Sequence, residues 1–355
     1  MMVSILIVNY FTAKWLPALL DILLREPLVE EVLILNNSPA ESLDHLRTSE
    51  KVHLLDLEKN LGFGKAMNRG VKEAKGDWWL LLNPDTLPVS GFLAELVQAA
   101  EAHQVLMAGP RFYWDEEQKW QLPPASGATA AEVLGSQMGH RHALEYHTQR
   151  IRWQQQYEHY WQQDEPFYQP FLSGACLLIR NAPDWFPGGK IFDERFFLYY
   201  EDTDLAVRCM LARQPSLCVP QANVIHFWDQ APREQKNEHE SLASQAFWDK
   251  YYPELGHKPP LAPIAPSNTL PIPEPALLGE FRVSPRFTSM PFEEDYRLEV
   301  GLSPLMVPFV QRQVEPGEAW LSDAAWDRLA AGTYFAQIRQ SHSAYPLQSW
   351  TWKKA

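Results

Sequence analysis

Asp85, Glu201, Asp202, Asp204 and His226 stand at positions in this 355-residue chain where side chains could do chemistry. Asp85 follows the apolar run Trp78-Trp79-Leu80-Leu81-Leu82 and the segment Asn83-Pro84. That run reads as a strand buried on both faces, which Pro84 stops by removing a backbone donor. A carboxylate is thereby delivered to the carboxyl end of a core strand, where open α/β sheets bind ligands. A hard oxygen ligand there suits Mg²⁺ or Mn²⁺ bridging a diphosphate. Glu201, Asp202 and Asp204 open a helical pattern that runs on through Val207, Met210 and Leu211, directly after the aromatic run Phe196 to Tyr200. Carboxylates at such a position either cap the helix or, beside aromatic surface, gain the basicity that a general base needs. His226 ends a strand-like stretch, a place where a histidine serves as a ligand or as a hydrogen-bonded structural residue.

Basic groups are sparser. Asn60-Leu61-Gly62-Phe63-Gly64 leads into a helical pattern from Lys65 to Lys75. It resembles a phosphate cradle without being a Walker loop or a full Gly-x-Gly-x-x-Gly, so its glycines also fit a tight turn. Lys65 and Arg69, one turn apart, face either a diphosphate or solvent.

The elements that must position these residues alternate. Strands are expected at 3–8, 32–35, 52–55, 78–82, 105–108, 171–179 and 219–226. Helices are expected from about Thr12, which can cap its own helix, over 65–75, over 90–103, from about 202, and around Leu242 to Tyr251. Short strands alternating with helices predict an α/β domain with a mostly parallel, Rossmann-like sheet. From Tyr113 to Phe167 the pattern changes to a polar, aromatic-rich helical stretch, His140 to Gln163, expected as a lid or acceptor-binding wall. Its histidines, His140, His142, His147 and His159, lack the spacing of a helical zinc site. A proline-dense linker at 253–275 precedes a small β-rich region at 276–355. The expected division is thus 1–252 with an insertion at 113–168, then the linker, then the accessory domain.

The net charge of −13 argues against a general nucleic-acid binder, which would show a basic footprint. Three cysteines, Cys176, Cys209 and Cys218, fit reduced thiols in a cytoplasmic protein. No run approaches the ~20 apolar residues of a membrane helix, so any membrane contact is expected to be peripheral.

Taken in order, five motifs resemble the family 2 glycosyltransferases of the GT-A fold, in particular their rhamnosyltransferase-like branch. They are Val3 to Tyr10; Asn60-Leu61-Gly62-Phe63-Gly64 with Asn68 and Gly70; Leu82-Asn83-Pro84-Asp85-Thr86; Ser173-Gly174-Ala175; and Phe192-Asp193-Glu194 leading to Glu201-Asp202-Thr203-Asp204-Leu205. The resemblance implies inverting transfer from a nucleotide-diphosphate sugar, such as dTDP-rhamnose or a UDP-sugar, to a glycan or glycolipid acceptor, with one divalent metal. It places Asp85 as metal ligand with Asn83 where the family's Asp-x-Asp begins. Asp202 becomes the catalytic base beside Glu201, and His226 a contact to metal or diphosphate. Asn9, Tyr10, Asn36, Asn60, Gly62, Lys65, Asn68 and Asn83 would line the donor. By family analogy the setting is polysaccharide biosynthesis at the cytoplasmic face of the membrane. Asn36-Asn37 stands where the family has Asp-Asn.

Two other readings compete. A nucleotidyltransferase would carry a Gly-rich, basic loop after the first strand, where this chain has Asn9-Tyr10-Phe11-Thr12-Ala13-Lys14. A catalytically degenerate carbohydrate-binding or scaffold protein would explain Asn36 and Asn83 but not the retention of Asp85, Asp202 and His226.

Overall fold

A computed structural model describes residues 1–127, 129–139, 142–227, 233–256, 275–286, 295–302, 306, 308–314, 321–341, 343 and 345–355. Most of the expected linker, 257–274, lies outside the described residues, as does His140.

The elements in chain order are β1 (Val3–Asn9), α1 (Leu16–Leu23), β2 (Val29–Asn36), β3 (Val52–Asp56), α2 (Phe63–Val71), β4 (Trp78–Leu82), β5 (Thr86–Pro88), α3 (Phe92–Ala102) and β6 (Met107–Tyr113). Next come α4 (Ala130–Gly139), α5 (Ala143–Gln162), β7 (Phe167–Tyr168), β8 (Cys176–Arg180), α6 (Glu201–Leu211), β9 (Ser216–His226) and α7 (Arg233–Tyr251). The remainder is β10 (Ala276–Phe281), β11 (Tyr296–Gly301), β12 (Phe309–Val314), α8 (Asp323–Arg328), β13 (Gly332–Gln340) and β14 (Gln348–Lys354).

The chain divides into two compact units. The first comprises Met1–Arg111, Ala125–Ala128 and Gln163–Pro259. Its nine-stranded sheet runs β3-β2-β1-β4-β8-β6-β9-β5, with β7 paired to β9. Parallel pairing holds for β3, β2, β1 and β4, as their sequences lead one to expect, since β1 and β4 are buried at every residue. Beyond β4 the pairs β4–β8, β8–β6, β9–β5 and β9–β7 are antiparallel, so the sheet is mixed. Apolar runs buried on both faces look alike in either pairing, which is why the sequence does not display the reversal. Gly70 lets α2 lie close on the sheet, because a Cβ there would stand 2.8 Å from both Leu6 and Leu35 side chains.

Two local expectations change. Thr12 does not cap α1; Asn9 Oδ1 instead accepts from the Thr12 N–H (3.1 Å) and hydroxyl (2.8 Å), and a single 3₁₀ turn, Ala13–Trp15, precedes the helix. After Pro84 the chain pairs again as β5, with Thr86 opposite His226.

The second unit comprises Phe112–Pro124, Thr129–Gln162 and Pro260–Ala355. Its sheet, β10-β14-β13-β11-β12, is antiparallel apart from the β10–β14 pair. Most of the expected insertion is built into this unit. Gln121 pairs with Gln311 of β12, Tyr157 of α5 stacks on Phe309 at 5.0 Å, and Arg150 of α5 meets buried Glu299 of β11 at 3.0 Å. Arg339 and Gln337 of β13 also bond Glu299. Burial alone would raise the Glu299 carboxyl, but the two guanidiniums hold it below the ordinary range. Among the described residues no helix is long and apolar enough to cross a membrane.

Candidate active site

The carboxyl ends of β1, β2 and β3 carry a network of buried amides. Asn9, fully buried at the end of β1, donates to Asn36 Oδ1 (3.3 Å) and Glu41 Oε2 (2.7 Å). Asn36, at the end of β2, donates to the Glu41 carbonyl and to Asp56 Oδ1, both at 2.9 Å, and accepts from the Ser38 N–H at 3.2 Å. An amide has two N–H donors and one carbonyl oxygen, so Asn36 is saturated within the protein. These bonds give Asn36 a holding role at the end of β2. The groups it presents are carboxylates that the motifs did not mark: exposed Asp56 at the end of β3 and half-buried Glu41. Tyr10, 48% exposed, follows Asn9 directly.

Asn37 carries the network into the next loop. Its Nδ2 donates to Asn60 Oδ1 (2.8 Å) and its Oδ1 accepts from the Leu61 N–H (2.8 Å). Asn60 Oδ1 also accepts from the Gly62 N–H at 2.9 Å. Gly62 adopts φ +80°, and a Cβ there would lie 2.3 Å from the Phe197 carbonyl oxygen. Only glycine meets both demands. The close approach lets the Phe63 N–H donate to that carbonyl at 2.8 Å, fastening the start of α2 to the loop before α6. Asn68 fastens the same loop from the middle of α2, donating to the Phe192 carbonyl and accepting from the Phe192 N–H, each at 2.9 Å. Buried and bonded at both ends of its amide, Asn68 braces this loop against α2. Lys65, half-exposed in the first turn of α2, pairs with Glu194 at 3.6 Å.

The braced loop ends in Tyr199 and Tyr200, both left-handed at φ 70° and 67°. Consecutive bulky residues in that region are strained, and strain of this kind persists where surrounding structure imposes it. Here Tyr200 packs on Phe247 of α7 at 5.4 Å. Helix α6 then begins with Glu201 and Asp202, and neither Asp202 nor Asp204 caps it. Asp202 Oδ1 accepts from the Thr203 N–H (2.7 Å), and Oδ2 accepts from the Gly174 N–H (2.9 Å). Asp204 is buried and bonds Arg208 and the Tyr251 hydroxyl, each at 2.8 Å, as well as Lys250.

The turn Ser173-Gly174-Ala175 joins two halves of the site. Its Gly174 N–H holds Asp202, while the Ala175 carbonyl accepts from the Asn83 N–H at 2.8 Å. A side chain at Gly174 would bring a Cβ within 3.2 Å of the Asp202 Cβ. Two residues beyond Asn83, Asp85 Oδ2 lies 3.6 Å from His226 Nε2, with both side chains largely buried at 18% and 13% exposure. Burial would raise the Asp85 carboxyl, but the His226 imidazole, with help from a backbone N–H, holds it below the usual carboxylate range. The anionic oxygen of Asp85 is the ligand type that suits Mg²⁺ or Mn²⁺, with the His226 nitrogen beside it. Among the described residues no group of three or more His, Cys, Asp or Glu could hold a metal ion. A two-ligand donor set fits a cation that completes its shell with substrate phosphate oxygens and water.

The expected residues Asn9, Asn36, Asn60, Gly62, Asn83, Asp85, Asp202 and His226 thus belong to one connected set of strand and helix ends. The β5–β9 pairing aligns His226 with Thr86, next to Asp85, a link that a three-residue strand next to proline does not advertise in sequence.

The sequence model described as Glycosyl transferase family 2 matches residues 4–184, just over half of the chain. An N-acetylglucosaminyl-diphospho-decaprenol L-rhamnosyltransferase of Mycobacterium tuberculosis is 34% identical over 191 residues, covering 49% of this chain and 58% of the relative. This chain therefore spans less than two thirds of that protein's length. YwdF of Bacillus subtilis, named as an uncharacterized glycosyltransferase, is 29% identical over 129 residues, 36% of this chain and 48% of YwdF. Among solved structures, a mannosyltransferase from Pyrobaculum calidifontis in complex with GDP-Man and Mn²⁺ is similar at 12% identity and a TM-score of 0.46, covering 70% of this chain and 64% of that one. The Rossmann-like mixed sheet of the first unit is GT-A-like. With the family match running over the strands that end in Asn9, Asn36 and Leu82, the chain belongs to glycosyl transferase family 2.

Proposed function

We propose that this chain is an inverting glycosyltransferase that moves a sugar from a nucleotide diphosphate to a glycan or glycolipid acceptor. The observation that carries the reading is the Ser173–Ala175 turn, whose backbone holds the Asp202 carboxylate through one residue and the Asn83–Asp85 strand end through the next. Asp202 takes the proton of an acceptor hydroxyl as its oxygen attacks the anomeric carbon from the face opposite the leaving group. The new C–O bond forms as the bond to the diphosphate breaks, and the electron pair leaves with the diphosphate. Asp85 and His226 would hold Mg²⁺ or Mn²⁺, which supplies positive charge for the departing phosphate.

The nucleoside lies over the ends of β1 to β3, where Tyr10, Asp56 and Glu41 meet it and the amide network keeps them in place. The name of the Mycobacterium tuberculosis relative supports an activated deoxyhexose such as dTDP-rhamnose as donor and a lipid-linked acceptor. A lipid-linked acceptor places the protein at the cytoplasmic membrane face by peripheral contact.

Asp202→Asn tests the reading. The amide keeps the size of the side chain but takes no proton, so transfer should fall by roughly 10²–10⁴-fold with thermal stability little changed. Undiminished transfer by a folded Asp202→Asn protein would refute the assignment.

A further inference from the structure

Glu201 is 7% exposed, and its Oε2 is buried without a hydrogen-bond partner among the described residues. An ionised carboxylate left dry and unpaired costs several kcal/mol, and a proton removes the cost. The next residue is treated in the opposite way. Asp202 is only half-buried, and both of its oxygens accept backbone N–H groups. The left-handed turn at Tyr199 and Tyr200 sends these neighbouring carboxyls into different surroundings at one helix start. From α2, Gly64 faces Glu201 so closely that a Cβ on it would stand 3.6 Å from the Glu201 Cβ and 3.0 Å from that of Phe192. Along α6 the charged group acting on Glu201 is Asp202. Lys65 on α2 is paired with Glu194, and Asp204 is bonded to Arg208, Lys250 and Tyr251.

Building on the transferase reading, we propose that Glu201 is a positioning residue that works as a neutral carboxylic acid, keeping a second negative charge away from Asp202 and from the donor diphosphate at neutral pH. Burial, reinforced by the charge of Asp202, pushes the Glu201 carboxyl up to about 8. Carboxyls whose environments are driven apart in this way divide their roles, one staying neutral while the other acts as base. Once Glu201 ionises, two like charges share the helix start and repel the anionic donor.

The test uses the full chain and the Glu201→Gln variant, whose amide is neutral at every pH. Wild-type kcat/KM should show an alkaline limb near pH 8 that the variant lacks. At pH 7 the variant should keep kcat/KM within about threefold of wild type. The same alkaline limb in both proteins, or a loss at pH 7 as deep as that of Asp202→Asn, would overturn the proposal. Carboxyl ¹³C NMR on glutamate-labelled wild type and variant provides a readout without turnover. One resonance titrating near pH 8 and missing from the variant is expected; finding every glutamate in the ordinary carboxylate range would refute a neutral Glu201, even if the variant failed to fold. An inactive wild type with that resonance present would sink the transferase reading while leaving the protonation of Glu201 established.

Discussion

Asn9, Asn36, Asn37 and Asn60 bond one another, Glu41, Asp56 and nearby backbone across separations of up to 32 residues. Their presence at strand ends is legible in sequence, because polar residues that stop apolar runs stand out. Their saturation is not legible, since it depends on which strands become neighbours. The same applies to Glu201, whose charge state follows from burial against α2. That burial has a consequence for stability. The unfolded side chain loses its proton near pH 4.5 and the folded one near 8, so between these values the folded state holds the extra proton. Stability from this group is complete below pH 4.5, declines as pH rises through the window and stops declining above about 8. Thermal unfolding followed from pH 5 to 9 should show a falling Tm in wild type and a flatter profile in Glu201→Gln. Parallel profiles would contradict the burial account.

At the scale of elements, β1 to β4 and the helices between them follow directly from alternating apolar patterns. Three devices do not: the turn before β8, the short β5, and the clamp between α6 and α7. The turn works through backbone groups, and β5 is too short for periodicity to register. The clamp joins Asp204 to Lys250 and Tyr251, 46 and 47 residues away. The sequence suggests helix capping for these acids, and capping would be worth only ~1 kcal/mol. As the buried centre of an ion-paired cluster, Asp204 should matter more. Asp204→Ala should destabilise the protein by about 1.5–3 kcal/mol, because Lys250 and Arg208 lose their shared counter-charge while Lys250 keeps Asp193 at 2.8 Å. Equilibrium urea unfolding checks this, and a change under ~1 kcal/mol would favour the capping view.

On the whole-molecule scale, the sequence marks a second β-rich region but not its partner. Arg150, Tyr157 and Gln121 lie in what reads as an insertion in the first domain, yet they bond and stack with Glu299, Phe309 and Gln311. Contacts over such separations leave no periodic trace. The candidate site residues lie in the first unit, which also holds most of the family match. The most direct test of the central claim is a thermal-shift screen of the whole protein with UDP, dTDP and GDP, each with and without Mn²⁺, on wild type and Asp85→Ala. A ligand that binds only the folded state raises Tm by mass action, by roughly 2.7 kcal/mol of stability at a hundredfold excess over Kd. A Mn²⁺-dependent rise with one nucleotide is expected in wild type, and its loss in Asp85→Ala. No rise with any nucleotide at millimolar concentration, or an equal rise in both proteins, would contradict it.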